Sequence, residues 1–386
     1  MKHKRIENYN RQRGAAAIFI VVFFALLLGV IVVSFTKIAI QDQQQATIND
    51  LNRSAYDSAE AGLEDATRVL NNYNKKCVKV APTPSTQTEC NKYNTELNSV
   101  NGTNPANCNL QKMPGINANI TTGEVEVKTN TDNALDQAYT CVKVRTQTPD
   151  VKIAGVQDES YLIPLKAVGG NAAFNSVQIN WHDAASDGTP SSYPSFPNLP
   201  SNNSWGNAPA LLRVQAIKVP AGPTANININ DINTSASSVF LYPVTTSPSV
   251  IDDIFGANGL SGGEKAVAPH RAQCQPSVQY YCTMTMGRFS GSDNYFLRIT
   301  PLYNNASFQV ILNPTGPDTF FDNVQPEIDS TGRANSVFRR IQQRVQYEAP
   351  ELENFTISGS FEITDGFCKN FNVAVKEEDY TNNCTP

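Results

Sequence analysis

The feature that most constrains this chain is an uncharged run of 21 residues, Ala15 to Phe35, reading AAAIFIVVFFALLLGVIVVSF. At 1.5 Å per helical residue the run spans about 31 Å, close to the thickness of a bilayer's hydrocarbon core. It predicts a transmembrane helix over 15–36, with Gly29 inside it and Phe35 near its far end. A secretory signal has a shorter apolar region, about 7–15 residues, with small residues after it. Here the small residues, Gly14 and Ala15 to Ala17, come before the run.

Nothing in the sequence stops the helix where lipid ends. Lys37 marks the far interface, and Gln41-Asp42-Gln43-Gln44-Gln45 is polar. Beyond it Ile48, Leu51, Ala55, Ala59, Gly62, Leu63, Ala66, Val69, Leu70 and Tyr73 recur every three or four residues. That spacing places an apolar, small-residue stripe on one helical face. No proline occurs between Ala15 and Pro82, so one helix over 15–74, about 90 Å long, is predicted.

Arg11-Gln12-Arg13-Gly14-Ala15 ahead of the apolar run, and Ser58-Ala59-Glu60-Ala61-Gly62-Leu63-Glu64-Asp65-Ala66 further along, carry a family resemblance. This region, about residues 11–70, resembles the N-terminal part of PilX-like type IV pilus assembly proteins. The resemblance implies a prepilin-type leader, residues 1–14, cut after Gly14 by a prepilin peptidase, with N-methylation of Ala15. It also implies insertion into a filament beside other pilin subunits, by pilus assembly machinery in the inner or cytoplasmic membrane. Most pilins have Glu at the fifth mature position, where this chain has Phe19. PilX-like chains and the K-type pseudopilins of type II secretion systems resemble it in lacking that Glu.

Charge supports the orientation. The chain carries a net charge of −5, yet Lys2, Lys4, Arg5, Arg11 and Arg13 outweigh Glu7 in residues 1–14. Basic residues stay on the cytoplasmic side, which puts everything after Lys37 outside. An acidic exterior argues against bulk nucleic-acid binding, which depends on neutralising phosphates.

All eight cysteines, Cys77, Cys90, Cys108, Cys141, Cys274, Cys282, Cys368 and Cys384, lie beyond the apolar run. An even count on the outer side predicts up to four disulfides, with the connectivity open. Zinc would want closely paired cysteines, and the closest pair here, Cys274 and Cys282, is too far apart. The local pairs Cys274–Cys282 and Cys368–Cys384 are the expected ones, the second because it resembles the C-terminal disulfide loop of many pilins. Closing a loop of about 15 residues contributes roughly 3 kcal/mol in the chain-entropy picture.

Residues 75–115 read as loop, with little periodicity. Alternating strands are predicted at Glu124–Thr129, Thr140–Thr146 and Tyr161–Val168, then Val177–Trp181, Leu211–Val219, Ser238–Tyr242, Val278–Met284, Tyr295–Thr300 and Ser307–Leu312. A hairpin over 325–345 resembles the closing hairpin of PilX-like heads. The expected fold class is α+β: a long N-terminal helix followed by a β-rich, disulfide-containing extracellular head. Two lobes are expected in the head, a pilin-like α/β region over 75–168 and a β-sandwich-like lobe over 169–386, jointed at Gly169-Gly170.

Catalytic patterns are thin. Gly259-Leu260-Ser261-Gly262-Gly263 matches G-x-S-x-G, but no strand pattern precedes it, and the one acid between Ser261 and His270 is Glu264, only three residues from the serine. A glycine loop is the reading. His182, at the end of the Val177–Trp181 strand, reads as a surface or strand-end histidine. Asp252-Asp253 and Asp318 to Asp322 lack the spacing of a calcium loop, so no metal or other cofactor is expected. Arg333, Arg339, Arg340 and Arg344 read as solvated strand positions.

The expectation is therefore a non-enzymatic structural subunit, a PilX-like minor pilin whose head meets other subunits or a host or surface ligand. The alternatives are a K-type pseudopilin and a single-span membrane-anchored adhesin.

Overall fold

The computed structural model describes residues 12–78, 82–98, 107–127, 136–194, 204–219, 236–246, 250–255, 260–261, 269–276, 279–289, 293–316 and 319–345. Helix α1 (Gln12–Tyr73) runs for 62 residues without a break and passes directly into a π-helical turn at Asn74–Val78. The periodic stripe and the absence of proline produce that continuity.

A second helix, α2 (Pro84–Asn98), occupies part of the stretch expected to be loop. Pro84 takes the first helical position, where a missing N–H costs nothing. Thr83 caps the entry: its carbonyl accepts from the Gln87 N–H at 2.9 Å, and its own N–H donates to Thr86 Oγ1 at 2.9 Å. Cys90, Tyr93 and Leu97, three and four residues apart, form the buried stripe of α2.

The strands in chain order are β1 (Val125–Glu126), β2 (Gln137–Thr148), β3 (Asp150–Gly155), β4 (Tyr161–Pro164) and β5 (Ser176–Asp183). They continue as β6 (Leu211–Val219), β7 (Ala236–Val244), β8 (Val250–Ile251), β9 (Leu260–Ser261) and β10 (Pro269–Cys274). The last are β11 (Tyr280–Gly287), β12 (Asn294–Leu302), β13 (Ala306–Leu312), β14 (Phe321–Ala334) and β15 (Val337–Arg344). Helix α1 with these strands makes the chain α+β. The expected strand at Glu124–Thr129 is described only as the two residues of β1.

Two sheets result. The smaller has the order β1-β2-β14-β15, so the closing hairpin pairs with β2. The larger has the order β3-β13-β5-β11-β10-β7-β6-β12-β4, with β8 added on β11 and β9 on β7. In it β5 alternates buried Val177, Ile179 and Trp181 with half-buried Gln178 and Asn180. Strands from both ends of the order feed one core, Val151 and Ile153 from β3 and Ile163 from β4. The Tyr161 ring lies 5.8 Å from that of Phe308, and Trp181 Nε1 donates to the Ala210 carbonyl at 3.0 Å.

The chain divides into two compact units that interleave along the sequence. One holds α1 up to Asp65 with Asn117–Cys141 and Ser330–Ile341; the other holds α1 from Ala66, α2 and the larger sheet. Strands from both sides of Gly169-Gly170 share the larger sheet, β4 on β12 and β3 on β13. The two glycines themselves form a turn at φ +86° and +94°.

Candidate functional site

The first half of α1 is long and apolar enough to cross a membrane. Its large side chains face outward all round: Phe19 is 76% exposed and Phe35 68%. A Cβ built at Gly29 would meet nothing within 4 Å. The hydroxyls at the far end turn back on the helix, Ser34 Oγ to the Val30 carbonyl and Thr36 Oγ1 to the Val32 carbonyl, each at 2.8 Å. That back-bonding satisfies polar groups within a helix, as an apolar medium requires. Gly14 and Ala15, the expected cleavage site, lie in the first turn of α1, and residues 1–11 of the expected leader lie outside the described residues.

The second half changes character. Burial begins at Ser54 and Ala55, so Ile48, at the head of the expected stripe, is exposed. From there Ala55, Ser58, Ala59, Leu63, Ala66, Val69 and Leu70 are buried. Small residues let another backbone approach. Within the unit that holds α1 up to Asp65, Ser330 Oγ of β14 donates to the Ala59 carbonyl at 2.7 Å. Gly332 lies so close that an added Cβ would overlap the Ala59 N and Ala55 O, with Ala59 Cα at 2.8 Å. Tyr139 of β2 donates its hydroxyl to Asp65 Oδ2 at 2.7 Å. Ser330 does not stand out in the sequence, and Gly332, which reads there as the turn of the hairpin, instead lies inside β14, with the turn at Asn335-Ser336.

Arg339 and Arg340 are exposed strand positions, as read, whereas Arg333 and Arg344 are partly buried in ion pairs. Arg333 has a side chain only 14% exposed, bonded to Asp136 Oδ2 at 2.6 Å and Glu124 Oε2 at 2.9 Å. The bonds to Asp136 and Glu124 push its pKa further up and hold the Asp136 carboxyl down. Arg339 donates to Asn52 Oδ1 of α1 at 2.6 Å. Arg344 donates to Asp150 Oδ1 at 2.6 Å and pairs with Glu327 at 3.5 Å. Glu124 and Asp136, which precede β1 and β2, meet Arg333, and Asp150 of β3 and Glu327 of β14 meet Arg344, which the local alternation of β14 and β15 could not reveal.

Cys274 and Cys282 form a disulfide between directly paired positions of β10 and β11. A second joins Cys77 of the π-turn to Cys90 of α2, and Cys108 and Cys141 are each disulfide-bonded too. Cys368 and Cys384 lie outside the described residues.

His182 stands at the end of β5, as expected, but is buried rather than at the surface, at φ +63°. Its Nε2 is 3.0 Å from the Gly188 carbonyl and its ring stands edge-on to Tyr281, while Nδ1 is buried without a partner. Burial lowers its pKa, against the nearby Asp187 and Asp183, and burial alone lowers that of His270. Ser261 sits in β9, paired with Ser237, and the glycines around Leu260-Ser261 lie outside the described residues. Among the described residues no group of three His, Cys, Asp or Glu side chains is placed to hold a metal.

No family model, curated protein or solved structure matches the chain.

Proposed function

We propose that the chain is a PilX-like minor pilin, a structural and non-enzymatic subunit of a type IV pilus or related filament. The observation that carries this reading is the continuity of α1. One unbroken helix is bare and apolar for its first half, then small-faced and buried from Ala55 onward. A plain single-span anchor accounts for the first half but needs no such continuation. In this reading the leader stays in the cytoplasm, the apolar half lies in the inner or cytoplasmic membrane, and the disulfide-bonded head faces outside. The subunit then leaves the membrane for the filament.

Processing tests it. Mass analysis of the mature protein is expected to place the N-terminus at Ala15, and Gly14→Val to block cutting while leaving insertion intact, because the apolar run alone drives insertion. A mature chain that retains residues 1–14 sinks the filament reading and leaves the anchor. A K-type pseudopilin fits the same helix and the same Phe19; neighbouring genes for a secretin and a secretion ATPase, in place of a pilus motor, favour it.

A further inference from the structure

An open cleft of about 500 Å³ lies on the outer face of the larger sheet, across β13, β5, β11 and β10. Strand register builds its floor. Gln309 pairs with Asn180, Asn180 with Thr283, and Thr283 with Gln273, so four polar side chains stand in one row. The alternate residues Val310, Ile179, Met284 and Cys274 are buried in the core, which fixes the row on the opposite face. Gln275 and Gln279 add a wall beyond the ends of β10 and β11, and the Cys274–Cys282 disulfide ties the base of that wall.

The chemistry of the lining is unusual. Six of its ten residues are carboxamides, Gln178, Asn180, Gln273, Gln275, Gln279 and Gln309, and none is Asp, Glu, Lys, Arg or His. Pockets for drug-like ligands are mostly apolar, so this one is unsuited to a greasy ligand. An anion or cation would find no counter-charge in it. Tyr280 at its rim is pushed up to about 12 by burial first, so its hydroxyl stays neutral.

Three of the six amides, Gln178, Asn180 and Gln309, are also held in place. Gln178 Nε2 donates to Asn180 Oδ1 at 2.6 Å, Thr283 Oγ1 to the same oxygen at 2.8 Å, and Asn180 Nδ2 to Gln309 Oε1 at 3.0 Å. Gln309 Nε2 ends the chain on the Asp150 carboxylate, itself held by Arg344. These bonds leave the Gln178 carbonyl oxygen, and one N–H each on Gln178 and Asn180, unspent for an incoming ligand. Groups already ordered lose little entropy on binding.

We propose that this face binds a short, neutral carbohydrate. A carboxamide carries a donor and an acceptor side by side, the pattern that two neighbouring sugar hydroxyls complement. Tyr281, braced edge-on by His182 at 5.6 Å between ring centres, offers a rigid aromatic surface for the C–H face of a sugar ring. An extended peptide would instead pair with a free strand edge. The edges of the sheet order are β3 and β4, whereas the four strands under the cleft lie inside it and pair on both sides. The inference goes beyond the filament reading, since it needs the head alone and would hold equally for an anchored protein.

The test uses the full chain in a detergent without a sugar headgroup. It is passed over immobilised trisaccharides ending in galactose, glucose or N-acetylglucosamine, beside sialylated and sulfated counterparts and an extended-peptide library. Saturable binding to at least one neutral trisaccharide is expected, with a loss of at least tenfold in Tyr281→Ala and in the double variant Gln275→Ala/Gln279→Ala. The double variant changes exposed side chains outside the amide chain, so it keeps the test valid if changes at Asn180 or Tyr281 unfold the head. Absence of neutral-sugar binding, binding unaltered in the double variant, or preference for the anionic sugars or for peptides overturns the proposal. A mature N-terminus other than Ala15 leaves it untouched.

Discussion

Gly332 of β14 lies directly on the backbone of Ala59 in α1, with no room for even a methyl group between them. The neighbouring Ser330 hydroxyl bonds the Ala59 carbonyl, so strand and helix are joined by backbone proximity and one buried hydrogen bond. Long side chains would hold the two elements apart; small ones on both sides permit the contact. Gly332→Ala is therefore expected to destabilise the protein by about 1–3 kcal/mol or more, as overpacking against backbone does. Ser330→Ala is expected to cost about 1 kcal/mol by leaving a bond unmade. Denaturant unfolding measures both, and a Gly332→Ala protein as stable as the parent would show that the helix yields at this point.

Arg333 ties β14 to the residues preceding β1 and β2 through Glu124 and Asp136. Truncation leaves Glu124 without its fork-like partner in a partly buried place. Arg333→Met, which keeps the aliphatic stem, is expected to cost about 1–2 kcal/mol. Arg333→Lys is expected to recover little of it, because a single ammonium cannot reproduce two paired bonds. Unfolding midpoints at low and high salt separate this partly buried pair from surface ion pairs, which salt screens more strongly.

Acid is expected to weaken the larger sheet. Burial holds the folded imidazoles of His182 and His270 below their ordinary value of 6.5. Above that value both are neutral, folded or unfolded, and pH changes nothing through them. As pH falls through 6.5 the unfolded chain takes up protons that the folded one refuses, so stability drops. Asp187, Asp183 and the Gly188 carbonyl pull His182 the other way, but burial outweighs them. The melting temperature is expected to fall by a few degrees between pH 7.5 and pH 5. The His182→Gln/His270→Gln protein should show a flatter dependence; an unchanged slope would assign the acid sensitivity elsewhere.

How much of this was legible depended on the distance between partners in the sequence. Helix α1 announces itself, because its stripe repeats every three or four residues over many turns. Helix α2 does not, since Cys90, Tyr93 and Leu97 are its only buried apolar residues among polar ones. Strand β5 shows in the alternation of Val177, Ile179 and Trp181 with Gln178 and Asn180. What those two amides meet does not, since Gln309 lies 129 residues beyond Asn180. The Ser330–Ala59 contact joins residues 271 apart, and the acids that neutralise Arg333 stand nearly as far off. Periodicity records which face of an element is buried; it carries no record of register between elements.

The cysteines bear on where the head resides. Cys77, Cys90, Cys108, Cys141, Cys274 and Cys282 are all disulfide-bonded. Protein unfolded without reductant is expected to offer none of these thiols to an alkylating reagent, and mass mapping should recover Cys77–Cys90 and Cys274–Cys282. Cys77→Ala/Cys90→Ala is expected to lose about 2–4 kcal/mol, since the bridge closes a loop 13 residues long between the π-turn and α2. Four or more free thiols in the native protein would remove the argument for an oxidising compartment.

Phe19 bears on copy number within the proposed filament. The mature α-amine of Ala15 would enter an apolar core, where an unpaired charge is costly. Pilins with Glu at the fifth mature position can neutralise a neighbour's amine there, and Phe19 cannot. No polar side chain lies between Phe19 and Ser34, and the Ser34 hydroxyl is already bonded to the Val30 carbonyl. Two placements then fit: the chain joins at few sites, such as a filament tip, where another subunit's Glu meets its amine, or the amine stays at a polar edge, and the first is the one proposed. Quantitative mass spectrometry of purified filaments is expected to find far fewer copies than of the major subunit, and labelling of the head to mark an end. Phe19→Glu is expected to raise the copy number severalfold, because it restores the missing carboxylate. A ratio near one copy per major subunit, or label along the whole shaft, would rule this placement out.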